Sequence, residues 1–375
     1  MRIHYVSGSR ADFGLMECCL ARLHAAPNHE VAIVATGQHV VAKYGDTIRD
    51  IHAAGLPVAA EIAVRLSGDS GAEMGRALAD ELTGFLDLWQ KTRPDLVLLL
   101  GDRGEMVAGV LAAVHLGIHV AHLHGGERTG TLDESFRHAI TRLAHIHLPA
   151  TEDAAERLRR MGEAPETVHV IGAPGLVGVA GRAPPDGPAL RAGLGLDARA
   201  PLALCLFHPV VQEAAQAARQ MRLVVEATHA AGYAMAVLRP NSDAGGDAID
   251  AWLETIPEGP GFRVLTHLER DSYLDLMAAS DLVIGNSSSG IIESASFGVP
   301  CVNVGTRQND RLRNANTFDC PKVTPDGIAT AIRAAQRWPR SRDNVYGDGR
   351  TDTRLLDYLD TLDLTPELLV KRLAF

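Results

Sequence analysis

The chain has no lysine- and arginine-rich run, no repeat or low-complexity tract, and no apolar stretch near the ~18 residues of a membrane-spanning helix. The first absence, with a formal charge of −10 and a pI near 5.9, removes the electrostatic footprint expected of a nucleic-acid or anionic-membrane binder. The opening residues, Met1-Arg2-Ile3-His4-Tyr5-Val6, form an apolar run too short for a signal-peptide core, so a cytoplasmic protein is expected. Cysteine is scarce as well. Cys18, Cys19, Cys205, Cys301 and Cys320 are odd in number and contain no C-x-x-C spacing, which argues against a zinc ribbon or a dithiol redox pair and for free, mostly buried thiols.

What is present is ordinary globular material, with 46% apolar and 22% charged residues in 375, enough for two domains with their own cores. Short β-rich runs alternate with amphipathic or alanine-rich stretches: Arg2–Val6, Val31–Ala35, Leu96–Leu100, His119–Leu123, Ile146–Leu148 and Val168–Ile171. Turn signals from Gly172 to Gly175 and from Gly181 to Pro188 then interrupt the pattern. It resumes with Leu202–Phe207, Ala234–Leu238, Arg263–Thr266, Leu282–Ile284 and Cys301–Val304. Near-continuous apolar strands separated by helices predict parallel, doubly wound sheets, hence an α/β protein of two Rossmann-type halves. The expected boundaries are residues 1–180, 181–350 and a final segment, 351–375.

Ligands on such sheets sit beyond the carboxyl ends of the strands, so the residues that follow strands carry the functional reading. Asn286-Ser287-Ser288-Ser289-Gly290 ends a strand and opens a helix, whose unpaired first N–H groups and neighbouring hydroxyls suit a phosphate. Glu293, one turn on, would reach a ribose; an ordinary N-cap explains the same serines equally well. Ser7-Gly8-Ser9-Arg10-Ala11-Asp12 gives a tight turn, a guanidinium for phosphate or for a surface carboxylate, and an acid at a helix start. Asp102 follows another strand, where capping the next helix is the simpler role.

Between His119 and His147, Glu127 lies on a glycine turn and Asp133 and Glu134 open a helix. On that helix Glu134, Arg137, His138, Thr141 and His145 share one polar face. Several carboxylates at one strand end are what proton removal and return require, and shared burial would raise at least one of their pKa values. Seven histidines, His115, His119, His122, His124, His138, His145 and His147, crowd the same region. No cysteine or carboxylate completes a familiar ligand spacing with them, so no metal is expected.

Taken in order, GSRADFGL (8–15), GDRGEM (101–106), HLHGGERTGTLDESFRHAITRLAH (122–145), HPV (208–210), NSSSGIIESASFGVP (286–300) and VNVGTRQNDRLRNAN (302–316) resemble the hydrolysing UDP-N-acetylglucosamine 2-epimerases of sialic-acid and legionaminic-acid synthesis. The resemblance spans most of the chain. It implies a GT-B-like fold, two Rossmann-type domains facing across a cleft, with the final segment returning to the first. It also implies loss of UDP from a UDP-2-acetamido sugar and hydration of the glycal to the free C2-inverted sugar. UDP-GlcNAc giving N-acetylmannosamine is the expected pair, with UDP-N,N'-diacetylbacillosamine or a GDP-linked relative as the alternative.

Carried over where motifs match, Asp102, Glu127 and Asp133 form the acid–base group. Arg10, His208, Ser287, Ser288, Ser289, Gly290 and Glu293 hold the nucleotide and diphosphate, and Asp12, Glu134, Arg137, His138 and Arg307 bind or orient the sugar. No cofactor is implied, and a homodimer or homotetramer is. A non-hydrolysing epimerase, a GT-B glycosyltransferase and a non-catalytic nucleotide-sugar sensor are the competing expectations.

Overall fold

The computed structural model describes every residue except 42–46, 66–70, 131, 180, 241, 242, 267, 373 and 375, together with the side chain of residue 132. The chain divides into two compact units. One comprises Met1–Arg128, Leu132–Gly178 and Tyr346–Phe375; the other comprises Thr129–Thr131 and Val179–Val345. The end of the expected final segment, residues 373 and 375, falls outside the described residues.

The first unit is built on a six-stranded sheet of β1 (Arg2–Ser7), β2 (Glu30–Ala35), β3 (Val58–Glu61), β4 (Leu96–Leu100), β5 (His119–Leu123) and β6 (Ile146–Leu148). Every pairing is parallel, in the order β3-β2-β1-β4-β5-β6. The second sheet repeats the design with β7 (Leu202–Leu206), β8 (Ala234–Leu238), β9 (Phe262–Leu265), β10 (Leu282–Gly285), β11 (Cys301–Val304) and β12 (Thr317–Cys320). Its order, β12-β11-β10-β7-β8-β9, is the same winding, again wholly parallel. Two doubly wound sheets make this an α/β protein of the GT-B-like class.

Helices cover both faces of the first sheet, which is why β4 and β5 are buried along their whole length. One face packs Phe13, Met16, Leu20 and Leu23 of helix Arg10–Ala25 against Tyr5, Ile33 and Leu98. Leu355 and Leu359 of helix Thr351–Thr361 belong to the same core, so the end of the chain is part of this unit. Each such leucine, fully buried, contributes about 2 kcal/mol. The other face holds Trp89 stacked on Phe85 at 5.1 Å, over Val97 and Leu99.

Three segments depart from the sequence reading. Val168–Ile171 is extended but is not a strand; it makes a single bridge, His147 to Val168. The N–H groups of His169 and Ile171 donate to His147 and Pro149 carbonyls, but Pro149 has no N–H to return, and the ladder stops there. β3 and β12, by contrast, are strands that no apolar run announced. Both lie at sheet edges and are only partly buried, so neither needs a continuous apolar sequence. Among the described residues no helix is long and apolar enough to cross a membrane.

Candidate active site

In a doubly wound sheet the chain leaves neighbouring strands in opposite directions at one place, and a crevice opens beyond their carboxyl ends. The orders above put that place between β1 and β4 in the first unit and between β7 and β10 in the second. The loops carrying most of the sequence-selected residues start there.

In the first unit, the turn after β1 is organised by Asp12. Its buried carboxylate accepts hydrogen bonds from Ser7 Oγ (2.5 Å), Ser9 Oγ (2.8 Å) and the Gly8 N–H (3.1 Å). Burial pushes the Asp12 carboxyl up, opposed by the nearby His39 and the two serines. Ser7 Oγ is also 2.9 Å from His39 Nε2, whose Nδ1 lies 2.7 Å from Thr47 Oγ1. Arg10, one residue past the helix cap Ser9, pairs through Nε with Asp50 at 2.7 Å. A Cβ on Gly8 would sit 2.5 Å from Glu105 Oε1, so glycine is what lets the β1 turn approach the β4 loop.

The β4 and β5 loops are joined by Arg137. This guanidinium, 2% exposed, rises from helix Leu132–Leu143, bonding the Asp102 carboxylate through Nη2 and the Glu127 carbonyl through Nη1 at 3.1 Å. The planar fork holds the two acceptors, on different loops, in fixed directions. Asp133 lies one turn before Arg137 on the same helix. The structure therefore gathers Asp102, Glu127, Asp133 and Arg137 at one end of the sheet. Glu127 is buried, and its Oε1 is 2.5 Å from His124 Nδ1. His138 Nε2 stands 3.6 Å from Glu134 Oε1, its pKa lowered chiefly by burial.

His122 stands behind this group. Burial pushes its imidazole down to about 3, so the ring is neutral at ordinary pH. Its Nε2 lies 2.7 Å from the Gly101 carbonyl, which can only accept; Nε2 therefore carries the proton, and Nδ1 accepts from Thr141 Oγ1 at 3.1 Å. Other histidines of the cluster are bonded in the same structural manner. His119 Nε2 meets the Thr365 carbonyl (3.0 Å), His145 Nδ1 accepts the Val120 N–H (3.1 Å), and His147 Nε2 meets Glu163 (2.9 Å).

In the second unit the two loops at the switch point are latched by Asn286, 2% exposed. Its Oδ1 accepts the His208 N–H (2.7 Å) and its Nδ2 donates to the His208 carbonyl (2.8 Å), fixing the loop after β7 against the loop after β10. Gly285, at φ +142°, lies so close to Leu206 that a Cβ would collide with its carbonyl. Ser287 precedes the short helix Ser288–Ile292 without capping it through its side chain. Arg307 Nη1 and Gln308 Nε2 donate to the Asn286 carbonyl at 3.2 and 3.3 Å. Gly290 packs its backbone on Val283 and Cys301, where a Cβ would come within 3.1 Å of either side chain.

Glu293 occupies a different setting from the open carboxylate that its spacing suggested. It is 1% exposed, paired with Arg270 Nη2 at 2.5 Å, and accepts from Ser289 Oγ, which in turn contacts the Tyr273 hydroxyl. Arg270 lies over the Tyr273 ring, 5.8 Å from its centroid. Arg270, Tyr273, Asn286, His122 and Thr141 all hold site residues in place, a role the sequence reading assigned to none of them. Asn286 carried a signal as the first residue after an apolar strand, Thr141 as a member of the polar stripe and His122 as one of the crowded histidines. The rest act across sequence separations that periodicity does not reveal.

Comparison with known proteins identifies the family and the fold. The model of the family described as UDP-N-acetylglucosamine 2-epimerase matches residues 21–360. The chain is 43% identical, over all of its length and 99% of the relative's, to the UDP-N,N'-diacetylbacillosamine 2-epimerase (hydrolyzing) of Legionella pneumophila. It is 30% identical to the UDP-N-acetylglucosamine 2-epimerase of Neisseria meningitidis, over 94% of this chain and 93% of that one. Among solved structures, the Neisseria meningitidis UDP-GlcNAc 2-epimerase bound to UDP-GlcNAc superposes with a TM-score of 0.79 at 16% identity, over 96% of this chain and 100% of that one, a likeness of fold. The chain belongs to the UDP-N-acetylglucosamine 2-epimerase family.

Proposed function

We propose that the protein is a hydrolysing 2-epimerase that releases UDP from a UDP-2-acetamido sugar and returns the free sugar inverted at C2. The observation that carries the reading is the Arg137 fork, which ties the Asp102 carboxylate and the Glu127 carbonyl, on two loops, to the helix that also bears Asp133. The C2 hydrogen of such a sugar is weakly acidic, so the C1–O bond must break early. UDP departs with that electron pair, and a carboxylate of the first unit takes the C2 proton to leave a glycal. Water then adds across the double bond, hydroxyl to C1 and a proton to C2 from the opposite face, which gives inversion with net hydrolysis. Asp102, Glu127 and Asp133 share these proton transfers. Arg137 keeps two of them in register, with His138, Glu134, Asp12 and Arg307 assigned to the sugar.

Stabilising the departing diphosphate is the other half of the barrier. His208, Arg10 and the Ser287–Gly290 turn are assigned to that charge, Arg10 exchanging Asp50 for the diphosphate, and Glu293 to the ribose, for which it gives up its bond from Ser289. The Asn286 latch supports this assignment, because it fixes His208 and the serine turn relative to each other.

For the sugar we favour UDP-N,N'-diacetylbacillosamine over UDP-GlcNAc, since the Legionella pneumophila relative is 43% identical end to end whereas the Neisseria meningitidis UDP-GlcNAc enzyme is 30% identical. Incubating the protein separately with each sugar and measuring UDP and free sugar tests the reading. UDP release with a higher kcat/KM for the diacetylated sugar is expected. Recovery of an epimerised but intact nucleotide sugar would replace it with the non-hydrolysing reaction.

A further inference from the structure

Helix Leu132–Leu143 carries Asp133 and Arg137 near its start, and its far end is held by the tail of the chain. The last carbonyls of a helix have no intrahelical donor, and a cation there is favoured by the helix dipole. Lys371 Nζ fills that role, donating to the Thr141 and Ala144 carbonyls at 2.6 Å each. The third ammonium hydrogen meets Glu163 Oε2 at 2.6 Å, so all three donors of the ammonium are used.

Glu163 is itself almost wholly buried, 1% exposed, and receives Arg142 and His147 as well. Burial raises its carboxyl, but the bonds from His147 and Lys371 outweigh that and bring it to about 2. Lys371, lowered by burial to about 8, stays charged at neutral pH. The residue whose carbonyl Lys371 holds, Thr141, also offers its hydroxyl to His122, and His122 bonds the Gly101 carbonyl next to Asp102. A continuous path of hydrogen bonds therefore runs from the tail, through the end of the helix, to the loop that bears Asp102.

We propose that Lys371 is a positioning residue for the reaction: by capping helix Leu132–Leu143 it sets Asp133, Arg137 and, through Thr141 and His122, the Asp102 loop. This rests on the function proposed above for its effect on turnover, and on geometry alone for its effect on the helix. Replacement by methionine keeps the length and apolar stem and removes the three donors.

The test compares wild type with Lys371→Met by amide hydrogen exchange and by steady-state UDP release, with UDP affinity measured by calorimetry. Expected are exchange about tenfold faster in the last turn of the helix and in residues 101–105. Turnover should drop between about tenfold and a hundredfold, with UDP affinity within about twofold of wild type. Rebuilding the ammonium by alkylating Lys371→Cys with 2-bromoethylamine, in a Cys18→Ser background because Cys18 is exposed, should restore both. Thr141→Val, which keeps the helix and breaks only the link to His122, should reproduce the faster exchange at 101–105 even if Lys371→Met does not fold. Unchanged exchange at 101–105 in the folded variants overturns the proposal whatever the enzyme's activity. A turnover loss that alkylation does not repair, or one matched by a loss of UDP affinity, overturns it too. Absence of UDP release by wild type, with exchange altered as expected, sinks the function and leaves the positioning role standing.

Discussion

Replacing Arg137 with lysine keeps the positive charge and removes the fork, and its consequences can be worked out from the contacts. Arg137 is 2% exposed and serves two acceptors on separate loops, the Asp102 carboxylate and the Glu127 carbonyl. Lysine's ammonium, on a shorter side chain and without the rigid fork, does not hold both in the same geometry. Severing a fully buried pair costs about 3–5 kcal/mol, but Asp102 keeps 21% of its side chain in solvent and the charge remains, so a loss of about 1–2 kcal/mol is expected. For a unit of this size that lowers the melting midpoint by roughly 2–8 °C. The rate should suffer more than the stability. Misplacing a reacting group by about 1 Å costs about a hundredfold, and here two loops lose their common anchor. UDP-release assays should therefore show kcat reduced about a hundredfold, while calorimetry shows UDP affinity within about twofold of wild type. A kcat within about threefold of wild type in the folded variant would refute the reasoning, as would parallel losses of turnover and UDP affinity.

Amide replacements Asp102→Asn, Glu127→Gln and Asp133→Asn should each lower turnover by orders of magnitude and leave UDP binding nearly intact; wild-type rates in all three, measured by UDP release, would reject the acid–base assignment. Asn286→Ala removes both bonds that latch His208 to the serine turn, costing about 1–3 kcal/mol, and should weaken UDP binding in calorimetry more than it alters the thermal stability of the first unit. Glu81, buried beside Thr36 and raised to about 9 by burial and then by Glu105, is protonated in the folded state over a range where the unfolded chain has released that proton. Folded protein then binds more protons than unfolded between about pH 4 and 9, so stability falls as pH rises through that window. Glu81→Gln should raise the melting temperature at pH 8 and flatten its pH dependence, and an unchanged slope would count against a neutral Glu81.

Central strands were readable because burial on both faces forces a continuous apolar run, as in Leu96–Leu100 and Leu202–Leu206. Edge strands Val58–Glu61 and Thr317–Cys320 escape that demand, and Val168–Ile171 satisfied it without a ladder because Pro149 lacks an N–H. The placing of candidate residues after strands was likewise legible, since parallel sheets open their crevices there. Partnerships were not. Nothing in local spacing joins Arg137 to Asp102 across 35 residues, or Arg270 to Glu293 across 23. The polar stripe Glu134, Arg137, His138, Thr141 and His145 has the helical period, yet Arg137, Thr141 and His145 are buried. They face inward because strand-end loops and neighbouring backbone need hydrogen-bond partners, a reason that exists only once the sheet is formed.

The most direct test of the account is the proton at C2. Turnover of UDP-N,N'-diacetylbacillosamine or UDP-GlcNAc in heavy water, followed by proton NMR, should yield UDP and a free sugar of inverted C2 configuration carrying deuterium at that carbon. A released sugar that retains its original C2 hydrogen and configuration would contradict elimination and hydration by the Asp102, Glu127 and Asp133 group.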